Sequence, residues 1–220
     1  MTLFVTFEGI EGSGKSTQIR ILNDVLKLRG YDTVLTREPG GTAIGEALRD
    51  ILLSIGNKGM TPLCELFLYA SARAQHVGEV IRPALEGGKI VLCDRFTDAT
   101  VAYQGYGRGF SVELISRLND IATDSLKPDV TFLLDCDAAL GLKRVVERKA
   151  LKKAKDDRFE EEPLAFHQRV REGYLAVARG EKDRFVRIDA SQDVEAVHQE
   201  ITRRILSLLS VQDSNALRKG

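Results

Sequence analysis

The sequence predicts an α/β fold: a doubly wound, five-stranded parallel sheet of the phosphate-loop type, with helices on both faces. Five short apolar segments alternate with segments of helical periodicity. The first apolar segment runs directly into a glycine-rich loop that fits the phosphate-loop spacing. The 220 residues contain neither an internal repeat nor a linker. We therefore expect a single domain over residues 1–210, followed by a polar tail at 211–220.

The composition limits the classes of function. The 32 basic and 32 acidic residues cancel, so overall charge gives no argument for a nucleic-acid or anionic-membrane partner. No apolar run approaches the roughly 20 residues of a membrane span, and the N-terminus enters a strand without a signal-peptide pattern. We therefore expect a cytoplasmic protein that binds neither a membrane nor a nucleic acid.

The first strand, loop and helix predict phosphate binding. The apolar run at 3–7 precedes the loop, and Ile19, Leu22 and Leu26 then recur at helical spacing. In such a loop the backbone N–H groups surround a di- or triphosphate, Lys15 adds a positive charge, and Ser16 offers a hydroxyl to Mg²⁺. The helix dipole favours the same anion. The expected phosphate-binding residues are Gly9, Ile10, Glu11, Gly12, Ser13, Gly14, Lys15 and Ser16.

The second strand, Thr33 to Thr36, ends in a loop with Pro39 and two glycines, after which Thr42 is a candidate N-cap. Parallel sheets bind ligands at the carboxyl ends of their strands. Arg37 could therefore face a second anion, although an arginine in a turn is more often solvated.

A long helical pattern runs from Pro62 to Ile81 and carries Tyr69 and Arg73 four residues apart, on one helix face. An aromatic ring beside a guanidinium can stack on a nucleobase and hydrogen-bond to it. From spacing alone, a half-buried tyrosine beside a surface arginine is favoured by roughly two to one.

The third strand, Ile90 to Cys93, delivers Asp94 and Arg95 to its carboxyl end. An aspartate there suits a magnesium site beside a phosphate loop, and the arginine could bridge the two phosphates between which a phosphoryl group moves. The alternative is an N-cap for the next helix. Asp135, which ends the fourth strand, is the second candidate for the metal because no arginine follows it.

A run of basic residues late in the chain predicts either a solvated charged helix or a mobile lid over a triphosphate, at about 148–158. Its members are Arg148, Lys149, Lys152, Lys153, Lys155 and Arg158. The pattern also predicts helices over Phe96 to Gln104, Ala138 to Arg148, Glu160 to Ala178 and Val194 to Leu209, a flexible loop over Gly105 to Gly109, and a last strand over Phe185 to Ile188.

The cysteines and histidines form no metal-ligand spacing. Cys64, Cys93 and Cys136 are expected to be buried free thiols. The three histidines, His76, His167 and His198, are expected to be surface residues or to have structural partners.

The motifs present in the sequence favour a kinase over a guanine-nucleotide switch. A guanine-nucleotide switch would need an Asn-Lys-x-Asp segment, and the nearest match at 57–60 lacks the aspartate. A phosphate acceptor needs no covalent intermediate and no base, because its oxygen is already anionic near neutral pH. An alcohol acceptor would favour a carboxylate base, for which Glu8 or Glu11 is available. Kinases of other nucleoside monophosphates or of small alcohols, and a non-enzymatic switch, remain alternatives.

Four segments in their order and spacing resemble bacterial thymidylate kinases, and the match extends from about residue 2 to 209. They are the loop segment 7–17, the segment Arg37-Glu38-Pro39-Gly40-Gly41-Thr42, the segment 94–105 with Asp94-Arg95-Phe96 and Ala102-Tyr103-Gln104-Gly105, and the segment Asp157-Arg158-Phe159-Glu160. The resemblance implies a P-loop kinase fold with a short lid. It implies Mg²⁺-dependent transfer of the γ-phosphoryl group of ATP to dTMP, giving dTDP and ADP for dTTP synthesis. It also implies a homodimer.

The resemblance further implies roles for individual residues. Tyr69 would stack on thymine where the family usually has Phe, Arg73 would reach the base edge or phosphate, and Arg95 would clamp the acceptor phosphate. Tyr103 would crowd the 2′ position, and Glu11 would lie near the sugar 3′-OH. The implied substrate-binding residues are Glu11, Arg37, Tyr69, Arg73, Arg95, Thr100, Tyr103 and Gln104.

The implied catalytic residues are Lys15, Asp94, Arg95 and Arg148, with Ser16 and Asp94 at the metal. Arg148 is included because the loop has no basic residue before Lys15, as in family members whose lid supplies the catalytic cation. Two positions depart from the family pattern. Ala99 replaces a common serine, which leaves Thr100 as the polar group near the base, and Tyr69 adds a hydroxyl that needs a partner.

Overall fold

A computed structural model describes residues 2–152 and 157–217 and contains a fully parallel five-stranded sheet in that part of the chain, with the order β2-β3-β1-β4-β5. The strands are β1 Leu3–Glu8, β2 Thr33–Arg37, β3 Ile90–Asp94, β4 Val130–Asp135 and β5 Phe185–Asp189. Strand order reverses at β1, so the predicted doubly wound α/β sheet is confirmed.

The helices pack on both faces of the sheet. They are α1 Lys15–Leu28, α2 Ala43–Leu53, α3 Pro62–His76, α4 Arg82–Glu86, α5 Thr97–Thr100, α6 Val112–Thr123, α7 Ala138–Lys152, α8 Leu164–Gly180 and α9 Val194–Leu217. Helices α1 and α9 contact each other and one face of the sheet, whereas α4 and α8 contact the other. Thr42, Thr61 and Ser111 cap the first turns of α2, α3 and α6 with their hydroxyls.

The central strand explains where a ligand can bind. All six residues of β1 are buried, because the strand has neighbours on both sides and helices on both faces. Asp94 of β3 pairs in register with Phe7 of β1 and with Arg37 of β2. The phosphate loop and the ends of β2 and β3 therefore open on the same edge of the sheet.

The segment between α5 and α6 differs from the prediction. The predicted flexible loop at 105–109 is wrong for its first half, because Val101–Gly107 continues α5 as a π-helical segment. Gly107 lies against the ring of Phe166, and Gly173 lies against the ring of Tyr106. These glycines allow the segment to approach α8 closely, and the packing keeps it helical. A second π-helical segment, Val77–Ile81, joins α3 to α4.

Several helix ends also differ. A 3₁₀ turn, Arg158–Glu161, precedes α8, which begins at Leu164 after Pro163. Helix α7 continues to Lys152, and α9 continues to Leu217 beyond the predicted end at Leu209. Cys64 is exposed, so its predicted burial is wrong, whereas Cys93 and Cys136 are buried.

No helix in the described part of the chain combines the length and the apolar character that a membrane crossing requires.

A buried ion pair joins α5 to the chain before β5. Arg184 donates to both carboxylate oxygens of Asp98, each at 2.8 Å, and to Thr131 Oγ1 at 2.6 Å. The Thr131 hydroxyl in turn lies 2.7 Å from the hydroxyl of Thr6 on β1. The Asp98 side chain is only 4% exposed, so its charge depends on Arg184 for compensation.

We predict that Arg184→Ala lowers the free energy of unfolding by about 3 kcal/mol, because it leaves the Asp98 carboxylate buried and unpaired. Urea denaturation followed by circular dichroism measures the change. Arg117→Ala is the control, since Arg117 pairs with Glu113 in solvent and its loss costs at most about 0.5 kcal/mol. Equal effects of the two substitutions would contradict the prediction.

Candidate functional site

An open cleft of about 980 Å³ lies at the carboxyl ends of β1 and β3. Its wall comes from the phosphate loop, the end of β2, α3, the π-helical segment Val101–Gly107 and the end of α7. The predicted site residues in the wall are Glu11, Gly12, Gly14, Lys15, Ser16, Arg37, Tyr69, Arg73, Asp94, Arg95, Thr100, Tyr103, Gln104 and Arg148. The fold therefore brings together residues that lie up to 137 positions apart in the chain, from Glu11 to Arg148.

The phosphate loop curls around the amino group of Lys15. Its Nζ donates to the carbonyls of Gly9 at 2.9 Å and Ile10 at 2.7 Å, and to Ser13 Oγ at 3.2 Å. Gly12 has a φ of 72°, and a Cβ there would collide with the carbonyl of Gly141 on α7. Burial lowers the pKa of Lys15 to about 8, and the nearby Arg95 contributes to the lowering. An anion in the loop would favour the charged form of this lysine.

Ser16 and Asp94 form the candidate metal site. Ser16 Oγ donates to Asp94 Oδ2 at 2.6 Å, so the first turn of α1 and the end of β3 meet beside the loop. A hydroxyl and a carboxylate are the oxygen ligands that Mg²⁺ prefers, and this pair fits that ion. Asp135, the second candidate, instead pairs with Arg171 at 2.7 Å and Arg187 at 2.6 Å, which neutralise its charge.

Arg95 is held in an unusual backbone conformation. Its φ of 73° is left-handed, which costs a non-glycine residue about 1 kcal/mol and persists where the surroundings fix it. The guanidinium stacks on Tyr103 at 4.9 Å. Its Nη1 donates to the carbonyl of Gly9 and to the hydroxyl of Tyr174, both at 3.0 Å, and its Nη2 donates to Glu11 Oε1 at 3.0 Å. The cation therefore stands beside the phosphate loop, facing the cleft.

The two candidate carboxylate bases have different environments. Glu8 is completely buried and accepts hydrogen bonds from the N–H of Phe96 at 2.6 Å and the hydroxyl of Tyr174 at 2.8 Å. Burial raises the pKa of Glu8 to about 8, with a further contribution from the charge of Asp98. Glu8 is therefore a structural group in the interior, and Glu11 is the one of the two that lines the cleft.

Glu11 is ionised. Its Oε1 accepts hydrogen bonds from the Tyr103 hydroxyl at 2.6 Å and from Arg95. Burial by itself would raise the pKa of Glu11, but the charges of Arg95 and Lys15 and the hydrogen bond from Tyr103 hold it well below its usual range. The carboxylate therefore carries its charge at neutral pH.

Arg73 is buried, so the expectation of a surface arginine is wrong. The residue is 1% exposed, and its guanidinium makes four hydrogen bonds. Nε donates to Glu38 Oε2, and Nη1 donates to Thr100 Oγ1 and Asn119 Oδ1, all at 2.8 Å, while Nη2 donates to the carbonyl of Phe96 at 3.0 Å. Arg73 thus fixes the position of Thr100 in the cleft wall.

Sequence reasoning missed the partners of Arg73. Glu38 also lies 3.0 Å from His76 Nδ1, and His76 Nε2 lies 2.6 Å from Thr36 Oγ1. His76 is completely buried and occurs three residues after Arg73, on the same face of α3. That spacing was the available signal, because two basic groups on one helix face indicate a nearby carboxylate.

Three other predicted substrate residues already have contacts within the protein. Arg37 forms an exposed ion pair with Glu46 at 2.8 Å, and Gln104 donates to Glu65 at 2.8 Å. The Tyr69 ring lies 6.3 Å from that of Phe159, and burial raises the pKa of its hydroxyl.

The basic residues of the predicted lid have different environments in the structure. Arg148, 49% exposed, donates to Glu160 Oε1 at 2.7 Å and lines the cleft, whereas Lys149 pairs with Glu160 at 3.0 Å. Lys153, Lys155 and the side chain of Lys152 lie outside the described residues. Arg158 neither lies in solvent nor lines the cleft, so neither alternative predicted for the basic run applies to it. It is buried, pairs with Glu65 at 2.7 Å and donates to the carbonyl of Leu52, which holds the 3₁₀ turn against α2 and α3.

His167 on α8 is also buried, at 1% exposure, with Nδ1 3.2 Å from Glu11 Oε2. The direction of approach lies outside hydrogen-bonding geometry, and neither ring nitrogen has a hydrogen-bond partner. The expectation of a surface or satisfied histidine is therefore wrong here. No local sequence signal links residues 11 and 167.

Comparison with known proteins identifies the family. A family model described as thymidylate kinase matches residues 7–201. The thymidylate kinase of Geotalea uraniireducens is 52% identical over 211 residues, covering 96% of this chain and 99% of that protein. The thymidylate kinase of Pelobacter propionicus is 51% identical over 99% of this chain and 100% of its own length.

A solved structure agrees with these matches. The crystal structure of thymidylate kinase from Ehrlichia chaffeensis has a TM-score of 0.73 to this chain at 36% sequence identity, covering 93% of this chain and 98% of the other. The similarity thus includes both the sequence and the fold, over nearly the whole length. The chain belongs to the thymidylate kinase family.

Proposed function

We propose that this protein transfers the γ-phosphoryl group of ATP to dTMP, giving ADP and dTDP, the step that supplies dTTP synthesis. One observation carries the proposal: the same cleft is lined by the phosphate loop, which contains Lys15, and by the guanidinium of Arg95. A phosphoryl donor and an anionic acceptor can therefore meet there, as the transfer requires. The relatives named thymidylate kinase match nearly the whole chain, which identifies the acceptor class.

The donor end binds ATP through residues 9–16. Backbone N–H groups of the loop and the N-terminus of α1 surround the phosphates, and Lys15 exchanges its carbonyl partners for phosphate oxygens. Ser16 and Asp94 would hold Mg²⁺ with the nucleotide. The ion supplies neutralisation of the charge on the phosphate oxygens.

The acceptor end positions the dTMP phosphate on Arg95. The attacking phosphate oxygen is already anionic at neutral pH, so no protein base is needed and catalysis depends on alignment and cations. Glu11 and Tyr103, which share a hydrogen bond of 2.6 Å, stand where the sugar of an acceptor on Arg95 would lie. Glu11 accepts from the 3′-OH, and the Tyr103 ring excludes a 2′-OH.

The base of dTMP occupies the wall formed by α3 and α5. Tyr69 supplies an aromatic surface, and Arg73 holds Thr100 beside it as the polar group near the base. Ala99 also lines the cleft but has no polar atom in its side chain, so Thr100 carries this contact. Arg37 and Gln104 complete the polar wall.

A short lid at about 148–158, anchored against α2 and α3 at its last residue Arg158, closes the donor end of a single domain at 1–210, with 211–220 as a tail. Arg148 is its catalytic cation, because it lines the cleft and has a half-exposed side chain that can leave Glu160 for the transferred phosphoryl group. Closure also excludes water, which strengthens each electrostatic contact.

The protein is a homodimer in this proposal. Helices α3 and α6 contact each other and expose several large apolar side chains: Leu63, Phe67, Val112, Leu114 and Ile121. Exposed apolar surface of this kind is typical of a protein interface.

A cytoplasmic location is supported by the cysteines. All three are free thiols, and Cys64 is exposed, which suits a reducing compartment.

The first test is ADP release from Mg·ATP with dTMP, dUMP, dAMP, UMP or no acceptor. We expect the highest rate with dTMP, and Lys15→Ala to lower that rate by a factor on the order of a hundred because a cation is lost from the transferred charge. Lys27→Ala, an exposed lysine in the last turn of α1, is the control and leaves the rate unchanged. Slow release that is indifferent to every acceptor would reject the function.

For the lid, we predict that Arg148→Ala lowers kcat by a factor on the order of a hundred, with a smaller effect on the KM for dTMP, because the guanidinium acts on the transition state. Lys143→Ala is the matched control: it lies on α7, is 73% exposed and pairs only weakly with Glu147 at 3.9 Å. If both variants keep the wild-type kcat, the catalytic cation is a different residue.

Sedimentation velocity tests the homodimer. We expect a species of twice the chain mass of 24.4 kDa, and a single-chain species for Phe67→Asp, because a charge in an apolar interface is unpaired. Leu28→Asp places the same charge at an exposed apolar site on α1 and leaves the dimer intact. A wild-type protein that sediments as a single chain refutes the dimer.

A further inference from the structure

Three polar atoms that lack hydrogen-bond partners lie close together behind the cleft wall. Glu11 Oε2 and both ring nitrogens of His167 are shielded from solvent and have no hydrogen-bond partner. Nδ1 and Oε2 nevertheless lie 3.2 Å apart, within ion-pair distance. Buried polar groups without hydrogen-bond partners are uncommon and costly. Two such atoms that lie at hydrogen-bonding distance but form no hydrogen bond therefore require a physical explanation.

The two oxygens of the Glu11 carboxylate have different surroundings. Oε1 receives two hydrogen bonds, from Arg95 and from the Tyr103 hydroxyl. Oε2 turns inward toward α8, where His167 meets it. The outer half of the carboxylate thus contacts the cleft residues, and the inner half contacts only the histidine among the side-chain partners that the structure describes.

Helix α8 holds both members of the Glu11–Arg95 pair. His167 and Tyr174 are seven residues apart, which places them on one face of the helix, two turns from each other. His167 approaches Glu11, while the Tyr174 hydroxyl accepts a hydrogen bond from Arg95 and donates one to Glu8. The Phe166 ring packs edge-on against the His167 ring at 5.6 Å.

Under the proposed function, substrate binding changes the interactions of the cations that surround Glu11. The cations that hold its pKa low include Arg95 and Lys15, and both line the cleft. Under the function proposed above, phosphate groups draw these two cations away from the carboxylate. His167, which is 1% exposed and turned away from the cleft, cannot be drawn away in the same manner.

We propose that His167 is a positioning residue for Glu11, which completes its Nδ1–H hydrogen bond to Oε2 when substrate phosphates take over Arg95 and Lys15. This inference rests on the proposed function. The completed bond keeps Oε1 directed at the acceptor sugar. Loss of the bond therefore weakens acceptor binding more than it slows the chemical step.

The experiment is a double-mutant cycle of dTMP binding, measured by calorimetry with a non-hydrolysable ATP analogue bound so that phosphates occupy Lys15 as well as Arg95, together with steady-state kinetics. We expect His167→Phe to weaken dTMP binding by about tenfold, the usual effect of losing a hydrogen bond to a charged group, with kcat within about threefold of wild type. His167→Asn, whose amide nitrogen can replace Nδ1, restores most of the affinity. In a Glu11→Gln background, His167→Phe has no further effect.

Control variants separate positioning from packing. His198→Phe makes the same exchange at a buried histidine of α9, whose contact is with Thr202, and leaves dTMP binding unchanged. Urea denaturation of every variant confirms folding. The proposal is overturned if His167→Phe binds dTMP normally, if His167→Asn behaves like His167→Phe, or if the loss is equally large in the Glu11→Gln background.

The kinetic arm distinguishes this inference from the proposed function. A wild-type protein that binds dTMP but does not phosphorylate it rejects the function, whereas the binding cycle still decides whether His167 acts through Glu11. A wild-type protein that binds no dTMP rejects both.

Discussion

Neutralising the cations of the cleft is the physical requirement on which the rest of the site depends. A site for phosphates must collect positive charges, and those charges must be compensated while no phosphate is present. Lys15 meets this requirement with the carbonyls of its own loop, and Arg95 meets it with Glu11, Tyr174 and the carbonyl of Gly9. Under the proposed function, each of these contacts can be exchanged for a phosphate oxygen at low cost, because the cation keeps an oxygen partner throughout.

The cleft wall formed by α3 and α5 is held by a hydrogen-bond network around Arg73. Arg73 is surrounded by Glu38, Thr100, Asn119 and the carbonyl of Phe96, and Glu38 is in turn held by His76. This network joins the end of β2 to α3, α5 and α6. Arg73 consequently acts as part of the rigid wall, whereas Arg95 and Arg148 have partners in or near the cleft.

Helix packing decides where Tyr103 and Glu11 meet. The π-helical segment Val101–Gly107 approaches α8 closely through Gly107 and Gly173, and this sets the position of Tyr103 over Arg95. The same helix supplies Tyr174 behind Arg95 and His167 behind Glu11. Helix α8 therefore supports Glu11 and Arg95 from behind the cleft wall.

The sequence by itself determined the strand alternation, the phosphate loop and the placement of Asp94 and Arg95 at a strand end, because these depend on local periodicity and on residues close together in the chain. Only the tertiary structure decided that Arg73, Arg158 and His167 are buried, that Cys64 is exposed, and that residues 105–107 are helical. Those outcomes depend on contacts such as that between Glu11 and His167, which are 156 positions apart. A charged side chain is buried only where a distant partner compensates it, and local sequence carries no record of that partner.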